Sequence, residues 1–397
     1  MTANFVDAGV QNLKNIPRPV RVYRLELEEE RAAPPAAWPT PSPEHPSIAV
    51  LPFQNMSGDP EQEHFCDGLV EDIITTLSKL AGLRVIARNS SFVYKGRSVD
   101  VREAAKHLGV RYILEGSVRK SGNRIRITTQ LIDAKDGSHV WAERYDRSIE
   151  DIFAIQDEIT LILATETQVR LTDGEQARLR YTTTTNVEAW TCWAQGLSHY
   201  RKAITEENMA AAVLWWEKAL ALDPASAVLN AVLGFIHFVN ARFGWSDDRE
   251  AGFIKSRAYA DRALGLDPNN ADAHLVLGLL CWPQESFDEA VSHARKAVQL
   301  APGAADILNQ AGFILAPSGF PEEALILSQK SIALNPNHPA VYLGILGNAC
   351  RLSGHIDEAI AAFEAYNARV PGFGLVDLVI AYRRKAELTR PRTRPSG

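Results

Sequence analysis

Between Ser47 and Arg170 the chain alternates two hydrophobic periods. Ser47 to Phe53 (SIAVLPF) is a short apolar run closed by the turn cluster Asn55-Met56-Ser57-Gly58-Asp59-Pro60, which predicts a buried strand. From Glu61 to Leu80 the positions Phe65, Leu69, Ile73, Leu77 and Leu80 recur at spacings of three and four, the period of one helix face. A second strand is predicted over 83–87 and a short helix over 101–108. Three strands follow over 111–119, 124–132 and 139–145, with turn residues at Ser121-Gly122-Asn123 and Asp136-Gly137. In the middle strand Ile125, Ile127, Thr129 and Leu131 alternate with Arg124, Arg126, Thr128 and Gln130, which gives one buried and one wet face. A closing helix over 149–170 completes an α/β domain of β-α-β-α-β-β-β-α order.

The remainder is Ala-rich and repetitive. ALALDP ending at Pro224 returns as ALGLDP at Pro268, AVQLAP at Pro302 and IALNP at Pro336, with ARVP at Pro371. The proline intervals are 44, 34, 34 and 35 residues. Gly278, Gly312 and Gly347 lie 24 residues before their closing prolines, and Ala290, Ala324 and Ala359 lie 12 before them. Small side chains at fixed offsets are what closely approaching helix pairs require. A period of 34 is that of the tetratricopeptide repeat, and the chain resembles that family from about Val187 to Ala386, in about five repeats. The first pair matches through Ala212, Trp216, Ala219 and Pro224. The 44-residue interval holds ten extra residues, expected in the loop around Gly244-Trp245-Ser246-Asp247-Asp248. Pro283 and Pro317 should each stop a first helix a turn early. Gly374 to Ala386 is expected to be a capping helix that shields the open end.

Two further resemblances are local. IAVLPFQNMSGDPEQEHFCDGLVEDI (48–73) and LGVRYILEGSVRKSGNRIRITTQLIDAKDGSHVWAERYDR (108–147) resemble the TolB N-terminal-like domain over roughly 47–160. That resemblance implies an α/β fold and contacts with other proteins, with no chemistry to carry over. LKNIPRPVRVYRLEL (13–27) resembles the closing strand of a class III adenylate/guanylate cyclase catalytic domain, with Val20, Val22 and Leu25 in a strand that lacks a sheet. The metal-binding aspartates and the nucleotide-holding residues of that family lie upstream of the matched strand, so no cyclase residue is carried over. Residues 28–46 form a Pro-rich linker, with six prolines between Pro34 and Pro46.

Composition narrows the function classes. A length of 397 residues predicts more than one domain, and 46 % hydrophobic with 23 % charged residues is ordinary for a globular protein. The net charge of −6 conceals opposites: residues 171–382 carry −8, whereas the tail from Arg383 carries +5 through Arg383, Arg384, Lys385, Arg390, Arg392 and Arg394. An acidic solenoid favours basic or neutral peptide partners over nucleic acid. The tail is read as a solvated, disordered basic end over 387–397. Four scattered cysteines (66, 192, 281, 350) with no Cys-x-x-Cys pair suit a reducing compartment. With no membrane span or secretory signal in the chain as given, the expected location is cytoplasmic.

The candidate chemistry is thin. His64, Cys66 and Asp67 could form a metal half-site, but residues two apart do not share a helix face. The acidic run Asp59, Glu61, Glu63, Asp67, Glu71 and Asp72 is read as helix-start charge favoured by the macrodipole. Tyr94-Lys95-Gly96-Arg97-Ser98 lacks the glycine spacing of a phosphate loop. Trp190, Trp193, Trp215 and Trp216 are read as packing of the first repeat. No catalytic, cofactor-binding or metal-binding residue is therefore assigned. By register, Asp272, Leu275, Leu279, Asp306, Asn309, Phe313, Val341, Asn348 and Arg351 face the solenoid groove and are the candidate partner-binding residues, unless the apolar ones pack between helices. The expected fold is thus an α/β domain followed by an all-α, tetratricopeptide-type solenoid. The expected function is a non-catalytic interaction module, with a protein or peptide in the groove and self-association left open. Resemblance alone offers adenylate cyclase activity, should a catalytic domain be supplied from upstream or by a partner. A third reading is a transcription-coupled module, because such domain pairs also follow DNA-binding domains.

Overall fold

The computed structural model describes residues 3–11, 20–27, 46–97, 99–167, 169, 183–202, 205–281 and 286–389. The Pro-rich linker (except Pro46), Pro283, Arg170 and the tail from Arg390 lie outside the described residues. The chain divides into two compact units, Pro41–Pro339, and Met1–Thr40 with Ala340–Gly397.

The first unit opens with the α/β domain. Its strands are β3 (Ser47–Val50), β4 (Gln54–Asn55), β5 (Arg84–Val85), β6 (Tyr112–Ser121), β7 (Arg124–Asp133) and β8 (Ser138–Ser148); β1 and β2 belong to the other unit. The sheet runs β5-β3-β6-β7-β8, with β4 beside β6. β3 is parallel to β5 and β6, while β6, β7 and β8 form an antiparallel meander in the register Leu114↔Leu131 and Ile127↔Tyr145. Its helices are α1 (Glu63–Leu77), α2 (Arg88–Ser91), α3 (Val101–Leu108) and α4 (Ile152–Glu166). Helices α1 and α4 bury Leu69, Ile73, Ile155 and Ile159 against one sheet face, and α3 buries Ala105 and Leu108 against the other. Asp100 caps α3 by accepting the Arg102 N–H, and Gly109 at φ +64° ends it in the left-handed conformation that glycine reaches without strain. The order matches the predicted one except for two short elements that it lacked, β4 and α2. The predicted strand over 83–87 shrinks to two residues because the Ala87 N–H leaves the sheet and donates to the Leu334 carbonyl at 2.8 Å.

Helical hairpins follow in the same unit: α5 (Val187–Tyr200) with α6 (Glu206–Leu222), α7 (Ala227–Phe243) with α8 (Arg249–Leu266), α9 (Ala271–Cys281) with α10 (Phe287–Leu300), and α11 (Ala305–Leu315) with α12 (Pro321–Leu334). The fixed small residues do what their spacing implies. A Cβ on Gly278 would stand 3.2 Å from the Ala290 carbonyl oxygen, and Ala290 and Ala324 are wholly buried. The ten extra residues are not in the 244–248 loop. Helix α7 is six residues longer than α9 or α11, and α8 is four longer than α10 or α12. Both helices therefore grow by at least a turn, and the loop keeps the length of its counterpart. Helix α11 stops at Leu315, two residues ahead of Pro317, as the missing N–H dictates.

The second unit contains β1 (Ala3–Gln11) and β2 (Val20–Leu27), paired antiparallel in the register Phe5↔Leu25. The strand expected to lack a sheet thus finds a neighbour in β1. A register shift between Asp7 and Val10 falls at Gly9, whose φ of +79° suits a bulge. This unit also holds the hairpin α13 (Val341–Leu352) and α14 (Ile356–Arg369), and then α15 (Leu375–Thr389). A Cβ on Gly347 would meet the Phe363 ring at 2.6 Å. Arg383, Arg384 and Lys385 lie on α15, within the expected capping helix, which runs on to Thr389 and takes in the first three residues of the expected disordered tail. Arg383 and Arg384 reach Glu387 at 3.1 and 3.6 Å, and Lys385 pairs with Asp357 at 2.7 Å. Among the described residues no helix is long and apolar enough to cross a membrane.

Candidate partner-binding site

Helix α1 joins the α/β domain to the repeats. Its apolar stripe continues beyond the sheet onto α5, where the Phe65 and Trp190 rings meet edge to face at 4.8 Å. Gly68 allows that approach, since a Cβ there would stand 3.0 Å from Ala194 and 3.1 Å from Trp190. Trp190, Trp193 and Trp216 are buried in one core with α1, as packing residues should be. One turn along, the half-buried Asp72 carboxylate accepts from Trp190 Nε1 at 2.7 Å, Thr183 Oγ1 at 2.9 Å and Gln156 Nε2 at 3.0 Å. Burial pushes its pKa up to about 6, against the pull of those three hydrogen bonds.

Past this dry seam the two parts separate around a cavity of about 830 Å³. The end of α1 and α2 form one wall, and the first helices α5, α7, α9 and α11 form the other. Arg201, just beyond α5, spans the gap: it donates to Glu71 on α1 at 2.7 Å and approaches Asp306 on α11 at 3.4 Å. Arg88 on α2 takes the other Glu71 oxygen at 2.8 Å. Burial works against a charged Arg201, yet the Glu71 and Asp306 carboxylates outweigh it and raise its pKa. The far rim is closed by backbone and small polar groups. The Gly303 N–H donates to the Ser78 carbonyl at 2.9 Å, and Ser90 Oγ donates to Asn335 Oδ1 at 2.6 Å while accepting the Asn337 N–H at 2.9 Å.

The candidate groove residues fall into three groups. Asp272, Leu275 and Asp306 come together on the cavity wall, where both carboxylates meet water. The surrounding protein pushes the Asp272 pKa up by desolvation. Leu279 and Asn309 are buried, and Phe313 lies under the Arg242 guanidinium at 5.4 Å. Among the described residues neither amide atom of Asn309 has a hydrogen-bond partner. Val341, Asn348 and Arg351 belong to the second unit, where Arg351 donates to Asn348 Oδ1 at 2.8 Å and Val341 is exposed. Sequence reasoning missed Glu71, Asp72, Arg88 and Arg201. Glu71 and Asp72 are not helix-start charges, because only Glu63 occupies the first turn of α1. Their signal was the placement of two carboxylates on the apolar side of an amphipathic helix. The other tempting clusters are tied up locally: Cys66 points into the core, while Asp67 holds Lys95 at 2.7 Å, which also reaches Glu63 at 3.2 Å.

Comparison with known proteins agrees with this architecture. Residues 44–162 match the second domain of HilA/YgeH-like transcriptional regulators, and residues 252–305 match the tetratricopeptide repeat. A protein of Rhizobium meliloti (strain 1021) named "Putative adenylate cyclase 3" is 43 % identical over 293 residues, 72 % of this chain and 49 % of that protein. "Transcriptional regulator HilA" of Salmonella typhimurium is 25 % identical over 342 residues, 85 % of this chain and 59 % of that protein. The chain thus spans about half the length of the curated relatives it matches. Among solved structures, TolB from Acinetobacter baumannii aligns at 15 % identity over 32 % of this chain and 30 % of its own, with a TM-score of 0.25. The chain is thus an α/β domain followed by helical repeats of the tetratricopeptide type, similar in sequence to the second domain of HilA/YgeH-like regulators and to a protein named as an adenylate cyclase.

Proposed function

We propose that the chain is a non-catalytic regulatory module that receives a protein or peptide partner on the first-helix face of its repeats, at the wall formed by Asp272, Leu275 and Asp306. The observation that carries this reading is the cavity itself. It is roomy and open to water, and the exposed carboxylates of Asp272 and Asp306 on its wall come from consecutive repeats, as expected where a partner side chain is to be held. A second support is that relatives named for two unrelated activities, nucleotide cyclisation and transcriptional control, both align with most of this chain. A part common to both names serves neither chemistry specifically and suits a shared regulatory role. A reducing, cytoplasmic setting belongs to the same reading, in keeping with four buried, unpaired cysteines.

The test compares partner recovery by the full chain with recovery by Asp272→Lys and Asp306→Lys, after thermal denaturation has shown both variants folded. Loss of the partner in both supports the groove. Unchanged recovery transfers recognition to the α/β domain.

Adenylate cyclase activity is the second reading, favoured by the 43 % identity to the Rhizobium protein. In that reading residues 1–27 are the end of a cyclase catalytic domain. Under the leading proposal the purified chain forms no cyclic AMP from ATP, and turnover by the chain alone would overturn it.

A further inference from the structure

The outer face of α15 is apolar where an exposed helix face is ordinarily polar. Here Leu378, Ala381 and Tyr382 face inward, and the Tyr382 hydroxyl donates to Glu364 on α14 at 2.6 Å. The opposite side carries Val376 at 75 % exposure and Ile380 at 43 %, with Phe373 just ahead of the helix and Leu388 near its end. The positions 373, 376, 380, 384 and 388 are spaced by three and four, so they form one stripe rather than scattered contacts. Only Arg384 interrupts it, and its stem is itself apolar. A contiguous stripe of this kind marks an interaction surface, whereas isolated exposed leucines do not.

We propose that this stripe pairs with the same stripe of a second copy of the chain, with the two α15 helices antiparallel about a two-fold axis. The charges select that occupant. Asp377 lies in the first turn of the helix, and Arg383 and Arg384 lie two turns later. Antiparallel pairing sets Val376 of one copy against Ile380 of the other. It also brings the arginines of each copy toward the end of its neighbour that holds Asp377 and the Phe373 ring, and it opposes the two helix dipoles. Parallel pairing would instead set Arg383 and Arg384 against their own copies. An isologous contact also closes on itself, so it yields a dimer and not a fibre.

Sedimentation of the full 43.8 kDa chain over a range of concentrations tests the proposal. The wild type should approach twice the chain mass at tens of micromolar, and Val376→Glu with Ile380→Glu should return it to the monomer with an unchanged melting temperature. A charge exchange supplies a readout that misfolding cannot imitate. Asp377→Arg alone and Arg384→Asp alone should each weaken the dimer about tenfold, and the double exchange should restore it. A monomeric wild type would overturn the proposal, as would a dimer indifferent to both sets of substitutions. A monomeric Val376→Cys variant whose thiol is nonetheless shielded from thiol reagents would assign the stripe to another segment of the same chain, and would also overturn it.

Discussion

Two faces of α1 behave in opposite ways. Around Phe65, Gly68 and Asp72 the α/β domain meets α5 in a packed seam, where the Asp72 carboxylate at its edge is matched by three donors. From Glu71 onward the same helix turns its other side to a cavity in which Asp272 and Asp306 stand in water. The difference separates what is sealed between the two parts from what meets solvent. A seam that matched its charges but left them wet would be weak, and a cavity lined only by leucine would close on itself.

The comparison breaks most visibly at Trp190. Trp190→Ala removes the edge-to-face ring contact, a fully buried side chain and one of the three donors to Asp72. The expected loss is about 3–5 kcal/mol in urea denaturation of the full chain. A loss under about 1 kcal/mol would show that the seam is held elsewhere.

Asp72 sharpens the same boundary through pH. Its pKa in the folded protein is about 6, above the ordinary 3.8, so between those values the native chain keeps a proton that the unfolded chain has lost. Its contribution is therefore fully present below pH 3.8 and fades as pH rises through 6. The swing is about 3 kcal/mol, since each unit corresponds to roughly 1.4 kcal/mol. Asp72→Asn should abolish that swing, read as the difference between variant and wild-type stability at pH 4 and pH 7. An equal difference at both pH values would sink the assignment.

Much of the fold was legible because the two hydrophobic periods are so distinct. The alternation at Ile125, Ile127, Thr129 and Leu131 could only be a half-buried strand, and the recurring Gly and Ala at fixed distances from Pro302, Pro336 and Pro371 could only be paired helices. The length of α7 and α8 was not legible, because ten inserted residues spread over two helices leave the turn residues Gly244 to Asp248 where a loop insertion would also leave them. The site was legible in part. Asp272, Leu275 and Asp306 follow from repeat register, which is a local property. Arg201 meets Glu71 only because α1 docks on α5 across 130 residues of chain, and no local pattern encodes that.

Smaller effects separate the buried linking charge from the more exposed ones. Arg201→Met removes a cation that spans the cavity and leaves Glu71 its ion pair with Arg88. About 2 kcal/mol should be lost, because one member of a largely buried pair is deleted while a second partner remains. Asp306→Asn removes only a more exposed contact at 3.4 Å and should cost under about 1 kcal/mol. Chemical denaturation of the two variants side by side checks the ranking, and the reverse order would show that Arg201 is anchored on the repeats and not on α1.

Asp272 gives the smallest effect on stability and the clearest division of roles. Its carboxylate meets water in the cavity, and the protein around it already resists its charge by desolvation. Asp272→Asn keeps its size and removes that charge, so stability should change by no more than about 0.5 kcal/mol. Affinity for a cationic partner group should nonetheless fall about tenfold or more, because a carboxylate in a part-desolvated recess attracts such a group far better than a surface one does. Denaturation and partner titration on the same preparation distinguish the cases. If stability and affinity fell together, Asp272 would belong with Asp72 and Glu71 as a structural charge, and the wet wall would be an extension of the seam.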